Sequence, residues 1–331
     1  LYEFERVRQV SWQIDFWLKD EKPRLYARMR LVNKDPETKP MYWWSNIASP
    51  QYKGGRIFVD ADHAYKTDSH GVLSRVEVPY DKDAGTDVSH YCNLYTQVDY
   101  FFDTADAEKY IVNIDETGNG LLQYSTRRLK GRKLFYWGNR VSSSNWQKTL
   151  TNCAGDYIEL QSGLAKTQYE SIPMPPNTAW EWIECYEKAA LTPEFSQRDY
   201  ATANEILSAR VRKSIEEDGL ENMLNKTRSL AFTRGELIHE GSGFGFLYNL
   251  LHDTRLDGHL QFREQQDISD YLYLVRCGTL PEKKENEAPK EFAYSKEIGA
   301  LLEKAVKGAG KHNWYNYYQL AMLESDADHL D

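Results

Sequence analysis

The sequence predicts a β-plus-α chain: an antiparallel β region over residues 1–190, then an α-helical region over residues 191–331. Three observations predict it. Apolar residues alternate with a period of two through the first part, in runs closed by Gly, Pro and Asn. Near residue 190 the period changes to about 3.6 and the strand signals vanish. Core mass comes from 23 Tyr, 12 Phe and 9 Trp, which supplement a hydrophobic fraction of only 41%.

In order, RVRQVSWQIDFWL and RLYARMRLVN read as strands, with Lys22–Pro23 expected in the turn between them. In the second, Leu25, Ala27, Met29 and Leu31 share one face, as an antiparallel sheet with one solvated face requires. KPMYWWSNIASP follows; neighbouring strand residues point opposite ways, so one of Trp43 and Trp44 is buried and the other faces out beside Asn46. GRIFVDADHAY and GVLSRVEVPY are further strands, with His63 and His70 near their turns. DVSHYCNLYTQVDYFFD, which holds His90, reads as irregular. KYIVNID and GLLQYSTRRL form a hairpin, LKGRKLFYWG a strand, and NRVSSSNWQKTL a loop entering a short helical turn.

DYIELQSGLAKTQYESIPMPPNTAWEWIECY organises the β region. It reads as three short strands. Tyr157, Glu159 and Gln161 share a face in the first, and Gln168 and Glu170 in the second, over residues 167–172. PMPPN makes a rigid corner. In the third, Trp180, Trp182, Glu184 and Tyr186 lie on one side. Carboxylates and amides hydrogen-bond hydroxyls, and flat rings cover the C–H face of a sugar, so this pattern suits a carbohydrate site. A half-exposed antiparallel sheet with solvated polar residues is the simpler account of the same pattern, and taken alone the pattern favours it.

Past residue 190, helices are predicted over 199–217, with Gly219 as stop, 220–230, the end of ELIHEGSGFGFLYNLLHD, 269–277, 295–307 and 313–324. GSGFG lacks the preceding strand and following GK[ST] of a phosphate loop and reads as tight backbone packing. Trp314, Tyr317, Tyr318 and Ala321 form a stripe expected to pack against a neighbouring helix.

A net charge of −9 argues against nucleic-acid binding, which depends on basic residues. No apolar run approaches the roughly 18 residues of a membrane span. Cys92, Cys153, Cys185 and Cys277 are scattered without CxxC spacing, which points to a reducing cytoplasm; no metal or cofactor is expected. The chain begins inside a strand-like run, which leaves room for a leader upstream.

PMYWWSNIASP, STRRLKGRKLFYWG, YIELQSGLAKTQYESIPMP, AWEWIE and GSGFG, in this order, resemble a bacterial family of large uncharacterised proteins in which a domain of unknown function precedes tetratricopeptide-like repeats. The resemblance covers nearly the whole chain and implies a piece of a longer protein, with more β structure before Leu1 and more repeats after Asp331. More distantly, Ile158–Glu159 before a Pro-rich turn and an aromatic strand is similar to the end of the galactose mutarotase-like β-supersandwich, here incomplete at its N-terminus. In aldose epimerases such a glutamate is the general base, so the resemblance implies that role for Glu159. The strand that carries the family's active-site histidine and asparagine is similar in placement to PMYWWSN, where tryptophan or serine takes the histidine position. Ring opening would then need His63, His70 or His90 as proton donor.

The expected function is carbohydrate binding or processing, with a saccharide as ligand. Glu159 is the candidate base and Glu184 the candidate second carboxylate, ahead of Glu170 and Glu181. Trp43, Trp44, Asn46, Gln161, Gln168, Trp182 and His90 are candidate substrate-binding residues. The alternative is a non-catalytic sugar reader, or a scaffold that docks another protein on its helical region.

Overall fold

A computed structural model describes residues 1–19, 22–67 and 70–325. The strands are β1 (Tyr2–Glu5), β2 (Val10–Lys19), β3 (Lys22–Asn33), β4 (Lys39–Met41), β5 (Trp44–Pro50) and β6 (Arg56–Phe58). There follow β7 (His63–Thr67), β8 (Leu73–Glu77), β9 (Tyr80–Asp81), β10 (Thr86–Asp87), β11 (Val98–Phe102) and β12 (Tyr110–Ile114). β13 (Asn119–Ser125), β14 (Gly131–Tyr136), helix α1 (Val141–Leu150), β15 (Tyr157–Gly163), β16 (Ile172–Met174) and β17 (Thr178–Ala190) complete the β part. The helices after it are α2 (Tyr200–Asp218), α3 (Leu220–Lys226), α4 (Arg228–Ala231), α5 (Phe244–Leu251), α6 (Ser269–Cys277), α7 (Lys296–Lys307) and α8 (Trp314–Ser325).

Two antiparallel sheets form a sandwich. One runs β1-β2-β3-β17-β13-β12-β6, the other β5-β15-β14-β11-β7-β8. Leu134, Tyr136, Ile158 and Leu160 of the second sheet meet Ile57, Val59 and Ile111 of the first. The far face of the first sheet carries Tyr26, Tyr110, Tyr124, Ile183 and Cys185 against Ala203, Leu207, Val211 and Met223 of α2 and α3. Strand thus gives way to helix after Ala190, yet α2 and α3 share a core with the sheet. A second helical core joins α5 to α8 and takes in Phe4 of β1.

Local chemistry explains most boundaries. Asp199 accepts from the Thr202 N–H at 3.0 Å and caps α2, and Gly219 closes it at φ 58°. Gly243 and Gly245 pack so closely that an added Cβ would come within 2.6 Å of Ile268 and 2.3 Å of Phe262. GSGFG is therefore a packing element, as expected.

Five expectations need correction. Lys22 and Pro23 begin β3 instead of forming the turn; residues 20–21 lie outside the described residues. No strand spans 167–172: Thr167 accepts no ladder partner and bonds Glu170, and pairing resumes only at Ile172–Met174, against β4. There Pro173 faces Pro40; neither donates, so the ladder stays short. Val141–Leu150 is a ten-residue helix, not a loop with one turn. The predicted helix over 220–230 is interrupted at Thr227. The stripe on α8 points outward: Trp314, Tyr317 and Tyr318 are exposed, while Tyr315, Asn316 and Gln319 are buried.

Candidate functional site

The register of the six-stranded sheet builds the candidate site row by row. Gln161 pairs with Asn46 on β5 and Lys133 on β14, and Lys133 pairs with Phe101 on β11. One row on, Glu159 and Asp99 both pair with Phe135 from opposite sides. Ile158 and Leu160 face the core, so these side chains stand on the outer face, away from the first sheet.

A chain of hydrogen bonds joins them. Glu159 Oε2 accepts from Asn46 Nδ2 at 2.8 Å and Gln161 Nε2 at 2.9 Å. Gln161 Oε1 accepts from Gln168 Nε2 at 2.7 Å, and Gln168 Oε1 accepts from Lys133 Nζ at 2.6 Å. Lys133 Nζ also pairs with Asp99 Oδ1 at 2.6 Å. Two fixed amides hold the Glu159 carboxylate in one orientation. Gln168 comes from the turn after β15, not from a strand, and that turn lies over the sheet through Tyr169, whose hydroxyl meets Thr67 at 2.9 Å.

Aromatic rings surround the polar chain. Trp44 crosses the end of the face over Gly163 and Gly131, where an added Cβ would come within 2.3 and 2.6 Å of the indole. It meets Phe101 edge-on at 5.9 Å between centroids. Phe135, Trp137 and Tyr157 form a second run, at 4.8 and 5.9 Å. Burial, and then the neighbouring Glu159 charge, push the Tyr157 phenol up. Lys133 Nζ lies 5.2 Å from the Phe101 centroid and 5.8 Å from that of Phe135.

The structure thus brings together Trp44, Asn46, Glu159, Gln161 and Gln168. It separates Glu184, Trp182 and Trp43 from them. Glu184 is buried between the two sheets, where its carboxylate accepts from Ser45 Oγ at 2.7 Å, Tyr186 OH at 2.8 Å, Gln123 Nε2 at 3.0 Å and Trp182 Nε1 at 3.3 Å. Arg132, also fully buried, is pulled down to about 10 by burial, with the Glu184 charge acting the other way. Trp182 is fully buried with its ring 5.9 Å from that of Trp43. These residues hold the sandwich together and present nothing to a ligand on the outer face.

The remaining candidates also lie apart. Glu181 pairs with Arg28 at 3.1 Å and Arg30 at 3.3 Å, on the helix side of the first sheet. Glu170 is exposed and bonds Thr167. His90 bridges Arg56 beside Asp87, and burial, then Arg56, push its imidazole down. His63 pairs with Asp62 at 2.6 Å, and His70 lies exposed between β7 and β8. Among the described residues, the side chains that donate to Glu159 at 2.8 and 2.9 Å are Asn46 and Gln161. Lys133, Asp99, Phe135 and Trp137 are site members that the sequence did not single out, whereas Tyr157 was expected on this face beside Glu159. The alternation of Lys133, Phe135 and Trp137 in LKGRKLFYWG carried a signal, but only the strand register shows which strand they face.

Among solved structures, a TPR-domain containing protein from Parabacteroides distasonis is 21% identical, with a TM-score of 0.48, over 57% of this chain and 32% of that one. A candidate aldose 1-epimerase from Escherichia coli K12 is 12% identical, with a TM-score of 0.43, over 57% of this chain and 64% of that one. A galactose mutarotase-like protein from Clostridium acetobutylicum is 9% identical, with a TM-score of 0.37, over 58% of this chain and 65% of that one. The matched region thus spans about a third of the first protein and under two thirds of the others. The model of one family, described as "Domain of unknown function (DUF5107)", matches residues 2–192, more than half of the chain, and the chain belongs to that family.

Proposed function

We propose that the chain binds a saccharide on the outer face of its six-stranded sheet, with Glu159 as the central acceptor. The observation that carries this reading is the hydrogen-bonded chain Asn46–Glu159–Gln161–Gln168–Lys133–Asp99, set between Trp44, Phe101, Phe135, Trp137 and Tyr157. Acceptors and donors in fixed positions match ring hydroxyls, and the half-buried rings of Trp44, Phe135, Trp137 and Tyr157 cover C–H surface, with Phe101 buried beneath them.

Binding without bond cleavage is the form best supported. Among the described residues, Glu159 accepts from two amides and adjoins the Tyr157 phenol. Glu184 lies on the other side of β15, and Asp99 is neutralised by Lys133. Among the described residues, no second carboxylate or histidine hydrogen-bonds Glu159, and the neighbouring Tyr157 phenol, pushed up by burial, is a weak acid for hydrolysis or ring opening. Glycan-array binding together with a panel of chromogenic glycosides tests this. Retained glycans without turnover support a reader; turnover abolished by Glu159→Gln supports an enzyme instead; no bound glycan refutes both.

A second reading, a protein contact through the helical part, is favoured by exposed Trp314, Tyr317 and Tyr318 on one side of α8. The exposed thiols of Cys92, Cys153 and Cys277 fit a reducing, cytoplasmic compartment. Among the described residues, no helix is long and apolar enough to cross a membrane.

A further inference from the structure

We infer that the saccharide taken by this face carries a protonated amine, as a hexosamine does, and that uronic acids are excluded. The inference rests on the sugar-binding reading above and adds the ligand's charge. It follows from which hydrogen-bonding positions of the face are already used.

The donors are largely spent. An ammonium has three N–H groups. Lys133 directs Nζ at Asp99 Oδ1 and at Gln168 Oε1, both at 2.6 Å, and at the Phe101 and Phe135 rings. Its side chain is only 6% exposed. Among the described residues, the cation at the centre of the face is thus paired and shielded.

The acceptors are not spent. Both amide bonds to Glu159 end on Oε2, so Oε1 keeps lone pairs for a ligand beside the Tyr157 phenol, which also bonds this carboxylate. Asp99 meets Lys133 through Oδ1, which leaves Oδ2. The two carboxylates flank Phe135 in one row of the sheet. Two strand spacings put their backbones about 10 Å apart, room for a sugar ring over the phenyl floor. With two carboxylates and one lysine, the row carries a surplus of negative charge. Further out, Arg75 and Lys166 share Asp103, at 3.4 and 3.6 Å, so the positive charge of this face lies at its edge and the negative surplus is confined to the Glu159–Asp99 row.

An ammonium on the ligand would donate charge-assisted hydrogen bonds to these open oxygens. At the centre of the face a uronate carboxylate would meet two like charges, with the Lys133 ammonium already paired. A neutral hexose would make the hydroxyl contacts without the charge term.

The test is a titration of the whole chain with glucosamine, glucose and glucuronate, each as the free sugar and as a β-linked oligomer, at mildly acidic pH where the amine is protonated. The expected result is binding of the glucosamine form about tenfold tighter than the glucose form, and none detectable for the glucuronate form. That preference should shrink at high salt. Asp99→Asn frees Lys133, so it should weaken the glucosamine form and let the glucuronate form bind; an unchanged unfolding temperature serves as fold control. Glucuronate or glucose bound as tightly as glucosamine overturns the inference and leaves the sugar site standing. Absence of binding by all six probes overturns the site itself and the inference with it. If Asp99→Asn does not fold, the wild-type comparison decides alone.

Discussion

Glu159 and Glu184 lie on opposite sides of the six-stranded sheet. Glu159 stands on its outer face among amides, and Glu184 is 1% exposed between the two sheets, where four side chains donate to it. One is available to a ligand and the other serves the sandwich, so their substitutions should separate cleanly. Glu159→Gln should change stability by less than about 0.5 kcal/mol and abolish saccharide binding. Glu184→Ala should cost about 3 kcal/mol, because it orphans buried donors from both sheets. Chemical denaturation and a binding assay on both variants check the separation; equal stability losses would contradict it.

Trp44 lies on two glycines. An alanine at Gly163 would set its Cβ 2.3 Å from the indole. Gly163→Ala should therefore cost about 1–3 kcal/mol and tilt Trp44 off the sheet. Tryptophan fluorescence of the variant should shift relative to wild type, and Trp44→Phe, which leaves space, should relieve the loss in the double variant.

The Asp218 carboxyl ties α2 to the β2–β3 hairpin. Burial alone would raise it, but Lys22, Tyr26 and Arg24 prevail and hold it below the ordinary 3.8. Its contribution is thus complete above pH 3.8 and is lost as the pH falls through the lower folded value. The stability gap between wild type and Asp218→Asn should be widest at neutral pH and close as the solution is acidified below 3.8. Denaturant midpoints at several pH values measure it; a gap that widens in acid would contradict it.

On α8 the two faces carry opposite expectations. Tyr315 is fully buried, with its hydroxyl 3.1 Å from Asp270, so Tyr315→Ala should cost about 3–5 kcal/mol. Trp314→Ser should cost less, about 1–2 kcal/mol, because the ring is 36% exposed and gives up part of its packing and the Nε1 bond to the Lys283 carbonyl. Thermal unfolding of the two variants checks this.

Much of this was legible in the sequence. Strand alternation put Tyr157, Glu159 and Gln161 on one face, and caps such as Asp199 and Gly219 marked the ends of α2. One of Trp43 and Trp44 had to face out, and it is Trp44. What alternation cannot tell is which layer a face meets. Glu184 alternates as Glu159 does, but its strand lies in the other sheet, so its polar side turns inward. The α8 stripe failed for a related reason: the residues that pack are Tyr315 and Gln319, whose polar ends find buried partners that no hydrophobic pattern reveals. Lys133 and Asp99 reach the site only through pairing across strands far apart in sequence.

The most direct measurement is a two-dimensional NMR titration that follows assigned tryptophan indole signals as a binding saccharide is added. The account predicts that Trp44 and Trp137 shift saturably, that buried Trp182 and the half-buried Trp43 beside it do not, and that Glu159→Gln abolishes the response. Shifts confined to Trp182 or Trp43, or an unchanged response in Glu159→Gln, would contradict it.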